Sequence, residues 1–492
     1  MVSHSRETIG TDWLQGYPPE IRRGLAAMGR RCPALFAAGG TVRDLLAGQR
    51  PRDLDLTVPA GGISCAHFLA EFLEGAFVPL DEAEDVGRVV WGDYTIDVAA
   101  FREGTASIEE DLGRRDFTVN ALAVALAIAP RDVHPSGPLL DPTGGLADFA
   151  ARRLRATSER IFAADPLRLL RAYRFAATLD FSRDEYLDNL IRRDRKLIGR
   201  TAAERIASEL KLIMGAARPH LQVAAMAASG LLWEVLPELE EGVGVAQPAS
   251  HHLDVFHHNL AALEAMAAIQ QEPVRFFPGH GPGLGAFLEP AARRVRLGWA
   301  ALFHDLGKPA VREIREGRIT FYGHDRAGAE RFAAVADRLR WSREEARRVG
   351  RLIELHMWPF HLLNARRKTG ITPKACLRLV KAAGDELPGL FLLAMADSLA
   401  GAGEGKPPEM ERDLAALYDQ VDEVYRSRIK PVLEQPRLLT GHDLQTLFAL
   451  PPGPLIGRLL RELVQAQVAG EATTRDEAAR WVEARLRGRA QS

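Results

Sequence analysis

The chain has 492 residues, 47 % hydrophobic and 26 % charged, with a formal net charge of −1. Such a length exceeds one compact core, so several modules are expected, and the near-neutral balance excludes a protein coated in positive potential. The longest apolar stretch, Ala121 to Ala129, falls short of the roughly 20 residues a membrane helix needs. Cys32, Cys65 and Cys376 leave no room for a disulfide framework or a thiolate zinc site. With no secretory run at its start, a cytoplasmic protein without a membrane partner is the expectation.

In chain order, a polar leader over 1–30 precedes a region, 34 to 130, that mixes β-rich runs with turns. LFAAGG, DLDLTV, GRVVWG and YTIDVAAF read as strands, and TVRDLLAG has helical spacing that stops at Gly48. That alternation gives a small mixed α/β domain. From about residue 146 the pattern is almost wholly helical, with apolar residues at three- and four-residue spacing in RIFAADPLRLLRAYRFAATL and AERIASELKLIMGA. Pro and Gly cluster at 273–289, which predicts an irregular insertion between helices. A second polar break, GAGEGKPPEME at 401–411, sets off a C-terminal tail. Residues 151–215 carry 15 Lys and Arg against 9 Asp and Glu, an excess of 6 that can neutralise phosphates. A solvated, salt-bridged helical face is the plainer account of that excess taken alone.

The first string that points to chemistry is LFAAGGTVRDLLAGQRPRDLDLTV. Gly39 and Gly40 stand where a strand turns into a helix, and without a Cβ they let backbone approach a bulky anion. Arg43, one turn in, can grip a triphosphate through its planar fork. Asp53 and Asp55 flank one apolar residue on a strand and so share a face. Two carboxylates held together repel one another, and hard oxygen ligands suit Mg²⁺. Asp97, on the later YTIDVAAF strand, is the candidate third carboxylate of a two-metal centre. A lone D-x-D is commonly a turn-capping surface pair; GGTVRD nine residues upstream shifts the weight to catalysis.

GGTVRD followed by DLD resembles the head signature of the class II tRNA nucleotidyltransferase and poly(A) polymerase family. EEDLGRRDFTVNAL, DPTGGLADF, ADPLRLLRAYRF and AERIASELKLIM are similar to that family's later motifs, and they arrive in its order. The tail string LTGHDLQTLF…PPGPLIGRLLREL is also similar to family members. The resemblance implies an α+β fold: a small mixed α/β nucleotidyltransferase head over 31–145, then an all-α neck over 146–215 and body over 216–250. An HD domain over 251–400 and a helical tail over 401–492 follow. It further implies that Gly40 and Arg43 contact the triphosphate beside Gly39 and Asp44, and that Asp53 and Asp55 hold Mg²⁺. Arg115 and Asp116 would bind sugar and phosphates with Asn120 in support. Asp165 and Arg168, three apart and expected on one helical face, would read the base of CTP or ATP. Arg171 and Arg174 would meet nucleotide or RNA phosphate, although these arginines alone would suit a salt-bridged amphipathic helix.

Two departures stand out. Ala164 occupies the place where the family usually has Glu, before the selecting pair. Between the DVAAF strand and EEDL only REGTASI intervenes, whereas enzymes that add the full CCA sequence carry a long flexible loop there. That shortness resembles enzymes that add CC alone.

FHHNLAALEA, ALFHDLGKP, FYGHDRAGAE, LHMW and AMADSLAG follow in the later module. The adjacent His304 and Asp305 resemble the signature of HD-domain phosphohydrolases, which implies His258 (rather than His257) as the first ligand and Asp397 as the last. His324 and His356 match extra ligand positions of HD proteins that hold two metals. Imidazole and carboxylate together suit Mn²⁺, Fe²⁺, Ni²⁺ or Zn²⁺, whose bound water can attack a phosphate at neutral pH. A lone His in a helical domain is more often packed or exposed than a ligand, and a structural metal site would explain the same set.

The expected function is template-independent addition of CMP, AMP or both to tRNA 3′ ends, by a monomer or homodimer, with HD phosphohydrolase activity as a second expectation. A poly(A) polymerase extending other RNAs is the rival within the same chemistry. A metal phosphohydrolase with an RNA-binding head is the rival from another class.

Overall fold

The computed structural model describes residues 13–102 and 104–490. The chain divides into two compact units, one of residues 1–205 and 228–234, the other of 206–227 and 235–492.

The first unit is built on a seven-stranded sheet. Its strands are β1 (Phe36–Ala38), β2 (Asp53–Val58), β3 (Ala76–Asp81), β4 (Val86–Trp91), β5 (Tyr94–Ala100), β6 (Ala123–Ile128) and β7 (Val133–Leu140). They lie in the order β3-β4-β5-β2-β1-β6-β7, with β2 and β5 parallel and every other neighbour antiparallel. The four expected strands and the helix α2 (Gly40–Leu46) form; the sequence reading passed over β3, β6, β7 and α3 (Gly62–Leu73). Period-two alternation explains which face does what. Leu54, Leu56 and Val58 of β2, and Ile96 and Val98 of β5, enter the core, which turns Asp53, Asp55 and Asp97 to the opposite face.

The expected leader needs correction. Residues 1–12 lie outside the described residues, but α1 (Pro19–Gly29) belongs to the head. Ile21, Leu25 and Met28, at i, i+4 and i+7, are fully buried in the same core as Leu69 and Leu73 of α3. Burying three such side chains stabilises the head by roughly 1.5–3 kcal/mol each, so its boundary lies before residue 19. Short helices α4 (Ile108–Gly113), α5 (Gly145–Ala150) and α6 (Ile161–Ala164) lead to α7 (Arg168–Leu179) and α8 (Glu185–Asp194). Two-residue strands β8 (Arg153–Leu154) and β9 (Ser182–Arg183) pair in parallel between them.

The chain continues as helices α9 (Ala203–Met214), α10 (Pro219–Ser229) and α11 (Leu231–Val235). In the second unit α12 (Val255–Gln271), α15 (Ala291–Phe303), α18 (Arg343–Leu355) and α21 (Leu387–Ala400) pack together, α21 almost wholly buried. Between them lie α13 (Pro273–Phe276) and α14 (Gly281–Leu288), α16 (Lys308–Val311), α17 (His324–Arg338), and α19 (Trp358–Thr369) with α20 (Pro373–Ala383). The stretch 273–289 is therefore two short helices joined by a turn over 277–280 rather than wholly irregular. Pro273 and Pro282 sit in the first turns of α13 and α14, where a missing N–H breaks no helical bond, and Pro278 lies in the turn between them. A hairpin of β10 (Glu313–Arg315) and β11 (Arg318–Thr320) interrupts the helices, its turn supplied by Glu316 and Gly317, both at positive φ.

The polar break at 401–411 is tied back to what precedes it. Gly403 and Gly405 donate their N–H groups to Ser250 and Ala249 at 3.1 and 2.9 Å, and α22 (Met410–Val424) packs on α19 and α21. These backbone bonds fasten 401–424 to the HD bundle. A separate apolar cluster begins at Leu439 and joins α24 (Gly441–Phe448), α25 (Pro454–Ala469) and α26 (Arg475–Ala490), after the short α23 (Lys430–Glu434).

Candidate active site and metal centre

All the head residues singled out from sequence line one cavity of about 610 Å³. Parallel pairing sets Asp55 in register with Asp97, and Asp53 stands two residues away on the same face. The three carboxylates are handled differently. Asp53 is exposed. Asp55 is half-buried; its Oδ2 accepts the Gly40 N–H at 2.7 Å, and burial pushes its carboxyl up against the pull of Arg115. Both Asp97 oxygens are taken by Arg88, Nε to Oδ1 at 2.7 Å and Nη2 to Oδ2 at 2.8 Å. Asp97 is thus placed beside the pair but held in an ion pair the sequence reading did not foresee.

The glycine turn works against Asp55 rather than solvent. Gly39 has φ +64°, and a Cβ on Gly40 would lie 2.7 Å from Asp55 Oδ2, so a side chain here would push the carboxylate away. Arg43 donates from Nη1 to Asn120 Oδ1 at 2.7 Å and from Nε to Asp44 Oδ1 at 2.9 Å, which aims it along the cavity wall. Arg115 donates to Thr57 Oγ1 at 2.9 Å and pairs with the buried Asp111 at 3.3 Å. Asp116 is buried; burial opposes its charge, yet Arg171 and Arg168 hold its carboxyl below the usual range. Arg171 grips it at 2.6 and 2.9 Å, and Asn120 Nδ2 donates to its other oxygen at 3.0 Å.

The selecting pair requires a correction. Asp165 and Arg168 share the cavity but not a helical face: Asp165 ends α6 in extended conformation, and Arg168 opens α7. Pro166 is the cause, because a residue before proline is forced out of the α region. As the C-cap of α6, Asp165 accepts the Leu167 N–H at 3.1 Å, and Arg205 pairs with its other oxygen at 3.3 Å. Arg168, Arg171 and Arg174 do follow one another at helical spacing, as expected. The cavity also holds Arg88, Arg102 and Phe175, which the sequence reading missed. Phe175 carries Arg174 over its ring at 3.9 Å, with Arg43 and Arg171 at 5.3 and 5.4 Å. Arg88 was legible in principle, since a two-residue turn at Gly92 and Asp93 pairs Trp91 with Tyr94 and hence Arg88 with Asp97.

In the second unit the six ligands expected from the HD resemblance meet in one cluster. His258 Nε2 lies 3.0 Å from Asp397 Oδ1 and 3.3 Å from His304 Nε2. Asp305 stands at the centre, its Oδ2 3.3 Å from His304 and its Oδ1 3.3 Å from His324 and 3.7 Å from His356. The choice of His258 over His257 agrees with this placement: His258 is fully buried, whereas His257 is exposed and hydrogen-bonds Asp254, its own helix cap. His251, which the sequence reading missed, joins His258 and Asp397. Gly307 allows the approach, because a Cβ there would strike the His324 carbonyl at 2.2 Å. Lys308 reaches Asp305 at 2.5 Å, and a cavity of about 540 Å³ opens beside Asp305, His324 and Asp397.

These residues fit a metal on their own chemistry. Nδ1 of His304, His324 and His356 each faces a backbone carbonyl at 2.7 to 2.9 Å, so Nδ1 carries a proton and Nε2 turns inward, where it offers a lone pair once the ring is neutral. His324 and His356 then oppose lone pairs at 3.1 Å, which a cation between them relieves. Burial and the neighbouring His324 and His304 push His356 down to about 3, favouring that neutral form. Among the described residues, three-ligand groups drawn within 4.8 Å of one another occur only in this cluster. No helix of the described residues is long and apolar enough to cross a membrane.

Comparison with known proteins agrees with the geometry. Residues 35–155 match the Poly A polymerase head domain, 180–242 the probable RNA and SrmB- binding site of polymerase A, and 255–400 the HD domain. The fold is similar to that of the CCA-adding enzyme of Thermotoga maritima complexed with tRNA, at TM-score 0.62 and 22 % identity over 96 % of this chain and 98 % of that one. The chain is 34 % identical to the A-adding tRNA nucleotidyltransferase of Deinococcus radiodurans, over 92 % of its length and 95 % of that protein. It is 33 % identical to the CC-adding enzyme of Thermus thermophilus, over 90 % and 92 %. Likeness of this extent, running through head and HD domain alike, makes the chain a member of the tRNA nucleotidyltransferase family, and an enzyme of nucleotidyl transfer.

Proposed function

We propose that the protein adds two C residues to the 3′ end of tRNA, leaving the terminal A to another enzyme. The observation that carries this reading is the seven-residue connection between β5, ending at Ala100, and α4, starting at Ile108. Such a span is too short to fold over the cavity and reshape it when the nucleotide changes from C to A. The CC-adding relatives of Thermus thermophilus and Geobacter sulfurreducens, the latter 32 % identical, support the reading.

In this reading the triphosphate lies against Gly39, Gly40 and Arg43, with Arg115, Arg171 and Arg174 meeting further phosphate charge. Asp53 and Asp55 hold Mg²⁺, which when bound polarises the α-phosphate and steadies the departing pyrophosphate. The tRNA 3′ oxygen forms the new bond to that phosphorus as the bond to pyrophosphate breaks. Asp165 and Arg168 present an acceptor and a donor to the base edge. The basic run over 151–215 meets the RNA backbone. At the second centre, His258, His304, Asp305 and Asp397 hold a transition-metal ion such as Mn²⁺, Fe²⁺, Ni²⁺ or Zn²⁺, with His324 and His356 completing a second position beside Asp305. Phosphate-ester hydrolysis is the chemistry such a centre supplies.

The test uses tRNA ending at the discriminator base and tRNA ending in CC, each with CTP and ATP, products sized on a gel. Two additions to the first and none to the second are expected. Addition of a single A to the second, with none to the first, would instead establish an A-adding enzyme, a reading the Deinococcus radiodurans relative favours. Long A tracts on unrelated RNAs would establish a poly(A) polymerase.

A further inference from the structure

The head cavity contains a cation that lies outside the motifs named above. Arg88 of β4 stands directly opposite Asp97 of β5, and its fork closes on both carboxylate oxygens at 2.7 and 2.8 Å. A pair at the far end of these strands shows what an incidental contact looks like: Arg52 and Asp93 touch once, at 3.2 Å, with both side chains more than 70 % exposed. Arg88 and Asp97 are only 39 % and 24 % exposed, and both face the cavity of Asp53 and Asp55.

Charge explains why such a pair is useful. Asp97 lies in register with Asp55 on the next strand, so two carboxylates share a face across one strand spacing, about 4.8 Å. Unpaired, they would repel one another. With Arg88 in place, the charge of Asp97 is met by a guanidinium, and Asp53 and Asp55 remain for an ion. The bidentate bond also fixes a planar group whose remaining N–H donors are not used by Asp97.

We propose that Arg88 is a nucleotide-binding residue, its guanidinium anchored by Asp97 so that its free edge meets the incoming triphosphate, and that Asp97 is a positioning residue rather than a metal ligand. The inference rests on the reading that the triphosphate occupies this cavity. It replaces the third metal-binding carboxylate expected from the sequence with a fixed positive charge, which needs no reorganisation when the phosphates arrive.

The experiment takes full-length Arg88→Gln, Arg88→Lys, Asp97→Asn and Asp97→Glu. Each is assayed for CTP incorporation across a CTP range and for Mn²⁺ bound without nucleotide, counted against Asp53→Ala so that ions held elsewhere cancel. Arg88→Gln and Asp97→Asn should each raise KM for CTP by about tenfold and change kcat by less than about threefold, the signature of lost ground-state binding. Both should keep the Mn²⁺ that Asp53→Ala loses, and Asp97→Glu should recover most of the KM. Two results overturn the proposal: an unchanged KM in Arg88→Gln, or an Asp97→Asn protein that loses the Mn²⁺ together with a hundredfold or greater share of kcat. Where a variant melts well below wild type, its conservative partner, Arg88→Lys or Asp97→Glu, decides by the same KM. Asp53→Ala that still extends RNA would refute the underlying assignment instead, so the two failures are separable.

Discussion

The head and the HD bundle both gather acidic side chains, proposed above to serve metal-dependent phosphate chemistry, yet they prepare them in opposite ways. In the head the carboxylates stand apart on an open face, one exposed, one bonded to backbone, one held by arginine. In the HD bundle Asp305 and four histidines are buried with ligand atoms converging. A site that must admit a nucleotide with its own charge keeps its groups spaced and balanced by arginine. A resident metal centre can instead be closed before any substrate arrives, because imidazoles bring no charge that must be neutralised.

The sharpest break in that comparison is to disable each centre alone. Asp53→Ala should lower nucleotide incorporation about a thousandfold or more, since a metal's charge stabilisation is worth several kcal/mol. Bound transition metal, measured by mass spectrometry of the purified protein, should not change. Asp305→Ala should reverse the pattern, losing the metal while incorporation stays within about twofold. The first centre is built from residues 39–175 and the second from 251–397, so no side chain is shared. Loss of both properties in either variant would show the two centres to be coupled.

How much of this was legible in the sequence follows the same division. Strand alternation and short-range spacing gave Asp53 with Asp55 and the glycine turn, whereas the HD ligands, with His258 chosen over His257, came from the family resemblance. What escaped depends on how segments fold back on one another rather than on spacing within one element. The Arg88–Asp97 bond follows from hairpin register, the burial of α1 from a helix 40 residues away in sequence, and His251 from a loop that bends back over α12. Asp165 was placed on a helix by its spacing alone, and Pro166 moved it to a cap.

A smaller effect sharpens the account of the head. Arg168 donates from Nη1 to the Arg114 carbonyl at 3.2 Å, which leaves further donors for a base edge. Arg168→Ala should reduce CTP incorporation by about tenfold, the worth of a hydrogen bond to a charged group. It should also let UTP compete, which parallel assays with each nucleotide at equal concentration would read. Unaltered discrimination would remove Arg168 from the selecting role.

Acid stability should distinguish Asp116 from the exposed head carboxylates. Burial raises its pKa, but Arg171 and Arg168 win and hold it below the usual range. The folded value is therefore depressed. Its stabilisation is complete above the ordinary carboxylate value near about 4, and fades as pH falls below that towards the folded value. Urea unfolding between pH 7 and pH 3 should show wild type losing stability at the acid end. Asp116→Asn should be about 1–3 kcal/mol weaker at pH 7, with a flatter acid limb. An acid limb as steep as that of wild type would mean that other carboxylates govern it.

The smallest expected effect concerns adjacent histidines on one helix. His257 is exposed at 53 % of its side chain, and its ring meets Asp254 at 2.9 Å without entering the cluster. His258, one residue on and rotated by about 100°, is fully buried at 3.0 Å from Asp397. His257→Ala should cost no more than about 0.5–1 kcal/mol, since exposed ion pairs contribute little, and should leave bound metal unchanged. His258→Ala removes an inward nitrogen beside both Asp397 and His304, so it should lower metal content in the same measurement. Equal metal loss from both substitutions would mean that helix placement, rather than ligand geometry, sets metal occupancy.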